Sequence, residues 1–141
     1  MTPTSGWPPR DLSGLRLDVV LDEQTKREFD LVVLTSDSDE GIETWDSVDE
    51  SVSVSTADEL IFLICRSDCA KVCGRDLIGC SRESVRDLLG PPDSRLTILH
   101  EAEEDGEVWQ WTYDFDGGMI EVAFRDDDHV IWVTLISNVS D

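Results

Sequence analysis

The segment from Ile78 to Ser94, IGCSRESVRDLLGPPDS, constrains the fold more than any other, because its local chemistry specifies the start, the buried face and the end of one short helix. Ser81 is a favourable N-cap residue. Glu83 falls in the first turn, where the helix dipole stabilises a negative charge. Cys80 and Val85 occupy the two positions of a hydrophobic staple. The segment therefore predicts a helix that begins at Ser81.

The same segment indicates where this helix packs and where it ends. One face carries apolar side chains at helical spacing, namely Val85, Leu88 and Leu89. Gly90 can adopt the left-handed conformation found at helix C-termini, and the two prolines behind it prevent continuation. Because the residues that follow are strand-like, we expect the helix to lie on a sheet.

Three strands are predicted downstream, with a brief fourth at Leu96–His100. In Val108–Phe115 aromatic residues alternate with other residues, which is typical of a half-buried strand. The Asp-Gly-Gly sequence at 116–118 predicts a tight hairpin turn, and the alternation resumes between Ile120 and Phe124. Val130–Ile136 is apolar on both faces, as expected of a central strand.

The first half of the chain has a different character. Residues 1–14 are rich in Pro, Gly and Ser and predict a poorly ordered lead-in, whereas residues 15–75 predict a β-rich acidic part. Leu15–Leu21 and Phe29–Thr35 alternate as strands do, and the polar sequence DEQTKRE between them predicts either a hairpin turn or one helical turn. Residues 36–51 carry seven acids and no base, which predicts a solvated loop.

Together these elements predict an α+β fold in one compact domain. One short helix on the antiparallel sheet of residues 76–141 forms its centre, Leu60–Cys65 adds a buried strand, and an N-terminal β-hairpin extends or covers the sheet. The first half lacks a Leu-Gly-x-Pro-Asp stop, so we do not expect it to be a second copy of the C-terminal unit.

The helical segment, followed by WQWTYDF, GMIEVAFRDDD and HVIWVTLI, resembles the small domain of the SmpA/OmlA (BamE-like) lipoproteins. That family shows a Gly-x-Ser/Thr helix start, a Leu-Gly-x-Pro-Asp stop, an aromatic strand that ends in Trp-x-Tyr, and an acidic hairpin. The segment is also similar to the repeat of β-lactamase inhibitory proteins. The resemblance covers about Asp76 to Ile136, and it implies a non-enzymatic domain that binds proteins through its sheet and loops.

The net charge of −21 indicates which partners to expect. It is spread evenly, because residues 1–70 hold 5 basic and 16 acidic residues and residues 71–141 hold 6 and 16. Such a surface repels nucleic acid and anionic membranes and attracts a basic protein, although solubility or salt adaptation alone would also account for it. The sequence shows neither an apolar leader nor a membrane-spanning run, so we expect a cytoplasmic protein, whose oligomeric state stays unspecified.

Four cysteines lie within sixteen residues and offer an alternative function. Cys65, Cys69, Cys73 and Cys80 could bind a metal or take part in thiol redox chemistry, and Cys69 and Cys73 could form a disulfide in an exported protein. Their spacing lacks the two close pairs of a typical zinc site, and reduced structural thiols are expected in the cytoplasm. We therefore predict no metal and no cofactor.

No catalytic residues are predicted. His100 and His129 fall next to turns, and the sequence lacks a GxSxG nucleophile motif. The acidic clusters Glu101–Glu107 and Asp126–Asp128 lack the ligand spacing of an EF-hand. They are predicted to be solvated turns.

The aromatic residues are the main candidates for a functional surface. Trp109, Trp111 and Tyr113 share one face of a strand, and they either form core beneath the helix or, if the helix covers the other face, an exposed binding patch. The predicted partner-binding residues are Trp109, Trp111, Tyr113, Trp132, Trp45, Asp126, Asp127 and Asp128. The predicted function is a non-enzymatic acidic protein-binding module, of which one concrete form is an immunity or inhibitor protein that blocks a basic enzyme such as a nuclease.

Overall fold

The computed structural model describes residues 11–12, 14–37, 41–72, 74–99, 107–115, 117–125 and 129–137. Within these ranges the chain forms twelve strands and two short helices. The protein is therefore mainly β, and the prediction of an α+β fold with one helix is wrong. The error arose in the first half, where a high acid content concealed strands that are held by pairing to their neighbours.

Each half of the chain supplies a two-stranded ribbon, a helix and four longer strands. The first half contains β1 (Asp11–Leu12), β2 (Leu15–Arg16), α1 (Glu23–Glu28), β3 (Leu31–Asp37), β4 (Ile42–Ser47), β5 (Val52–Ala57) and β6 (Leu60–Arg66). The second half contains β7 (Lys71–Val72), β8 (Arg75–Asp76), α2 (Arg82–Leu89), β9 (Ser94–Leu99), β10 (Glu107–Phe115), β11 (Gly118–Arg125) and β12 (Val130–Ser137).

The eight longer strands form one antiparallel sheet in the order β3-β4-β5-β6-β12-β11-β10-β9. Read from either edge, this order places the four strands of a half in chain sequence, and β6 meets β12 in the middle. An approximate twofold axis between β6 and β12 thus relates two copies of one unit. Of the two arrangements predicted for the first half, its strands extend the C-terminal sheet and do not cover it, whereas the prediction that it is not a second copy is wrong.

Local backbone geometry repeats as well. Both ribbons have the same hairpin register, with Leu12 opposite Leu15 and Val72 opposite Arg75. In the first half the Asp18 N–H donates to the Ile61 carbonyl, and the Ile61 N–H donates to the Val19 carbonyl.

The second half has the same pair of hydrogen bonds, from the Gly79 N–H to the Val130 carbonyl and from the Val130 N–H to the Cys80 carbonyl. Asp18 and Gly79 also share a positive φ, of 64° and 85°. The two segments therefore have similar backbone paths although their sequences differ. Equivalent hydrogen bonds, to β6 in the first half and to β12 in the second, hold each segment in place.

Of the two alternatives for the polar stretch DEQTKRE, the helical turn is the one present, as α1, because the Asp22 carboxylate caps the helix by accepting a hydrogen bond from the Thr25 N–H at 2.8 Å. The predicted N-terminal β-hairpin is wrong, since Leu15–Arg16 is the only part of the predicted first strand that forms a strand, β2, and β2 pairs with β1. The predicted acidic loop contains β4, which pairs with both β3 and β5. Pairing on both sides holds this acidic segment in a sheet that composition alone does not favour.

The helix that the sequence predicted is confirmed. The Ser81 hydroxyl accepts a hydrogen bond from the Ser84 N–H at the start of α2, and Gly90 follows its end with a φ of 87°. Val85 is fully buried, and Leu88 and Leu89 pack against the core. The predicted central position of the last strand is also confirmed, since β12 lies between β6 and β11.

The sheet has two different faces. On the face that we call the covered face, one row of paired side chains crosses six strands, namely Trp45, Val54, Ile64, Leu135, Ile120 and Tyr113. Apolar residues of the ribbons and of α2 join this row in a single core cluster. We call the opposite side the open face, because the described helices and ribbons all contribute to the covered one. No helix in the described part of the chain is long and apolar enough to cross a membrane.

Candidate functional site

The aromatic row of β10 lies on the covered face, beneath α2. Trp111 and Tyr113 are 5% and 3% exposed. The Tyr113 hydroxyl donates to the Gly90 carbonyl at 2.8 Å, which fixes the end of α2 over the strand. The guanidinium of Arg82 lies 4.6 Å from the centre of the Trp109 ring. Of the two alternatives for this row, the core arrangement is the one present, so Trp111 and Tyr113 offer no surface to a partner.

The other predicted binding residues lie apart from this row. Trp132 is half-buried on the open face, opposite Ala123 in the register. Trp45 is half-buried near the β3 edge of the covered face, with the Lys26 ammonium 4.4 Å from its ring centre. Asp126, Asp127 and Asp128 lie outside the described residues. The predicted residues therefore do not converge on one site.

The open face has an apolar centre and carboxylates on either side of it. Its central strands place Leu63 opposite Ile136, and Ile136 opposite Met119, and all three side chains are half-buried. The next row of paired residues consists of Asp46, Ser53, Cys65, Thr134, Glu121 and Thr112. Such a face is suited to contact with another macromolecule, because its apolar side chains lie in one patch.

Both carboxylates of this row are affected by burial. The Asp46 Oδ1 atom is buried and has no hydrogen-bond partner in the described part of the chain. Burial raises the pKa of Glu121 because the charged form loses solvation. Cys65 lies between these two carboxylates in the row. Burial raises the pKa of its thiol, and the negative charges of Asp46 and Glu121 raise it further. A cationic group placed on this face would stabilise the charged forms of both carboxylates.

A second acidic feature lies at the start of β3, beside the turn between β4 and β5. A cleft of about 360 Å³ there is lined by four carboxylates, those of Glu28, Asp30, Asp49 and Asp68. Hydrogen bonds from Ser47 and Ser51 lower the pKa of Asp49 to about 2, so this group stays ionised at neutral pH.

Asp68 forms an ion pair with Arg66. It accepts two hydrogen bonds from the Arg66 guanidinium, at 3.0 and 2.8 Å. Burial tends to raise the pKa of Asp68, but the hydrogen bonds and the charge of Arg66 outweigh it and lower the pKa. Arg66 itself is 5% exposed and packs over the Phe29 ring, so its guanidinium is part of the core and is hardly exposed to the cleft.

The cysteine alternative finds no cluster in the part of the chain that the structure describes. Cys65 lies on the open face, Cys69 lies between β6 and β7, and Cys80 precedes α2, while Cys73 and His100 fall outside the described residues. The described ranges contain no group of three or more His, Cys, Asp or Glu side chains arranged to hold a metal. His129 is exposed just before β12.

Sequence reasoning missed one surface, at the β3 edge of the sheet. Val32, Val33 and Val48 are 50%, 48% and 73% exposed, although strand alternation predicts that Val33 is buried. The signal in the sequence was the Val-Val pair, because two adjacent apolar residues on a strand cannot both face the core.

These features define the class of the protein as an internally repeated antiparallel β protein with one covered and one open sheet face. No family model and no curated protein matches the chain. Two solved structures have a similar fold. The first is an extracellular protein containing a SCP domain from Bacillus anthracis str. Ames, with a TM-score of 0.54 and 12% identity over 76% of this chain. This chain spans 39% of that protein's length.

The second is a DUF4309 family protein, YjgB, from Bacillus subtilis subsp. subtilis str. 168. Its TM-score is 0.55 at 15% identity, over 89% of this chain and 84% of the other. At these identities the likeness concerns the fold alone. Neither structure is described as a SmpA/OmlA relative, so that resemblance stays a prediction.

Proposed function

We propose that this protein is a non-enzymatic binding module that docks a basic protein partner on its open sheet face. The observation that carries the proposal is the Asp46 carboxylate oxygen, which is buried on that face with no hydrogen-bond donor among the described residues. A buried polar atom without a partner is costly, so the face gains most from a ligand that brings donors. Lys or Arg side chains of a partner supply both donors and charge.

Two further features support this proposal. The apolar centre formed by Leu63, Ile136 and Met119 can contribute affinity once a partner excludes water from it. The net charge of −21 speeds encounter with a cationic surface and makes association sensitive to salt. An immunity or inhibitor protein that occludes a basic enzyme, such as a nuclease, is one concrete form of the proposal. A cytoplasmic location belongs to the same proposal.

Binding of the purified protein to a panel of basic enzymes, among them ribonucleases, tests the proposal. Biolayer interferometry at low and high salt measures association and dissociation rates, and an acidic enzyme serves as the negative control. We expect at least one basic enzyme to bind, with an association rate that falls as salt rises. We expect inhibition of that enzyme if its active site is the surface covered.

Matched variants locate the contact. Asp46→Asn and Glu121→Gln each remove one carboxylate of the open-face row, and each should weaken binding about tenfold through loss of a charged hydrogen bond. Asp87→Asn removes an exposed charge from α2 on the other side of the sheet and should leave affinity within about twofold of wild type. If no basic enzyme binds, or if all three variants bind alike, the open face is not the docking site.

A further inference from the structure

The outer edge of β3 has no strand beside it among the described residues, and the β3–β4 register shifts only after the two valines, between Val33 and Thr35. β3 therefore ends the eight-stranded sheet. Natural edges are usually protected by charged residues, prolines or bulges, which discourage pairing with another chain. Here the first part of the edge exposes Val32 and Val33, and the nearby Val48 is also exposed. An exposed apolar edge of this kind is a template for one more strand.

Two clefts meet at the start of this edge. One, of about 410 Å³, has an apolar wall of Leu31, Val32, Trp45 and Val48, and its rim holds two acidic and two basic residues whose charges balance. The other is the acidic cleft of about 360 Å³ described above. Asp30 and Val48 line both clefts and are joined by a hydrogen bond from the Val48 N–H to the Asp30 carbonyl, so the two clefts are adjacent. An extended segment that lies along β3 therefore meets apolar surface first and carboxylates next.

The open face adds a second acidic feature to the same edge. Asp46 is the register partner of Val32, so its unpartnered Oδ1 atom belongs to the strand next to the edge. A strand added outside β3 would lie about 10 Å from β4. Long basic side chains can span that distance, because they extend along apolar surface with the charged group at the tip.

We propose that the β3 edge binds an extended segment of the partner protein, in which apolar residues run beside Val32 and Val33 and basic residues follow into the acidic cleft. This inference rests on the proposed binding function and identifies how the partner is held. Main-chain hydrogen bonds to β3 provide the attachment, and the two clefts provide side-chain specificity.

A second copy of this chain is the alternative occupant of such an edge. Each copy carries a net charge of −21, so pairing two β3 edges would bring two strongly negative surfaces together. Repulsion between them favours a cationic occupant over a second copy.

Synthetic peptides test this inference without knowledge of the partner. One peptide alternates Val and Thr and ends in a pair of Arg residues, and a second has the same composition with the Arg pair first, because the added strand could run in either direction. Control peptides carry Glu in place of Arg, or Pro within the alternating part. We expect one Arg peptide to bind and to slow amide hydrogen exchange at residues 31–37, and we expect neither control to do so.

Variants of the full chain locate the peptide. Val32→Lys places a charge on the edge and should weaken peptide binding about tenfold or more. Val20→Lys is the matched control, because Val20 is 55% exposed but lies away from this edge, and it should bind within about twofold of wild type. Glu28→Gln, in the acidic cleft, should weaken the Arg peptides more at low salt than at high salt.

Several outcomes would overturn the inference. These are the absence of peptide binding, equal binding of the Arg and Glu peptides, equal effects of Val32→Lys and Val20→Lys, or dimers of the wild-type protein that Val32→Lys dissociates. If the peptides fail while a basic enzyme still binds in a manner that depends on Glu121, the binding function stands and only the edge inference is lost. If the peptides bind but no basic enzyme does, the open-face proposal is the one that fails.

Discussion

The two halves of this protein have the same backbone plan but different interiors. In each half a helix cation covers a Trp of the second sheet strand: Lys26 lies 4.4 Å from the Trp45 ring centre, and Arg86 lies 5.5 Å from that of Trp111. In the second half this Trp is buried and α2 buries Val85, whereas α1 buries no residue at all.

The difference extends into the sheet. The register leads from Trp45 to Ile64 in β6 and from Trp111 to Val133 in β12. Arg66 and Leu135 each lie two residues further along, so they occupy equivalent positions. The second half therefore has an apolar interior beneath a packed helix. The first half contains a buried guanidinium and exposes valines along its edge. The comparison indicates that the second half supplies more of the buried core. The first half therefore has more surface available for binding a partner.

The largest expected effect tests whether the halves unfold together. Ile64 and Leu135 face each other across the β6–β12 junction, and both are fully buried. Ile64→Ala and Leu135→Ala should each lower the free energy of unfolding by about 2–5 kcal/mol, through lost burial and a residual cavity. Urea denaturation followed by circular dichroism and by Trp fluorescence should give one coincident transition. Two separated transitions would show that the halves fold independently.

The next effect concerns the buried charge that only the first half contains. Asp68→Asn leaves Arg66 without its carboxylate and should cost about 1–2 kcal/mol, less than for a fully buried pair because the Asp68 side chain is 40% exposed. Adding Arg66→Leu, the residue found at the equivalent position of the second half, should recover most of the loss. A double variant that is no more stable than Asp68→Asn alone would contradict the equivalence of positions 66 and 135.

The same ion pair predicts a dependence on pH. The pKa of Asp68 is lower in the folded protein than its unfolded value of about 3.9. Its contribution to stability is therefore present above that unfolded value and is lost as the pH falls through the folded pKa. Urea midpoints of wild type and Asp68→Asn should differ at neutral pH and converge in acid. A difference that persists at the lowest pH would assign the effect to packing.

A smaller effect compares the two helix caps. Ser81→Ala should cost about 1 kcal/mol, because it removes the acceptor for the Ser84 N–H from a helix that is packed into the core. Asp22→Ala should cost less, since α1 buries no side chain and can fray without exposing core. Thermal unfolding of both variants measures the comparison. Equal losses would mean that α1 is as important to the fold as α2.

The smallest effect concerns the two cations over the tryptophans. Arg86→Met and Lys26→Met keep much of the apolar stem and remove the charge, so each should cost about 0.5 kcal/mol. The fluorescence of Trp45 or Trp111 should change in the corresponding variant, measured against a background in which that Trp is replaced by Phe. An unchanged spectrum in either variant would remove that contact from the comparison.

Much of the second half could be predicted from its sequence. The N-cap at Ser81, the apolar face at Val85 and the stop at Gly90 are local signals, and each acts within a few residues. Strands such as β10 and β11 were visible because their side chains alternate and an Asp-Gly-Gly turn separates them. The first half has weaker local signals, because α1 lacks an apolar face and β4 is mostly polar.

Part of the candidate site was also accessible. The acidic surface and a basic partner follow from composition, and the aromatic residues were recognised as important. Their division between core and surface was not accessible, because it depends on which sheet face the helices cover. The apolar edge at Val32 and Val33 was overlooked for the same reason, since a strand's place at the edge is a property of the whole sheet.

The sequence by itself determined α2, the strands of the C-terminal meander and the strongly negative charge, because each arises from interactions between residues close in the chain or from composition alone. Only the tertiary structure decided that the first half repeats the second, that β6 and β12 join the two copies, and that Asp46 shares a face with Glu121. Those arrangements depend on strand pairing between distant segments, and local patterns do not specify which strands become neighbours.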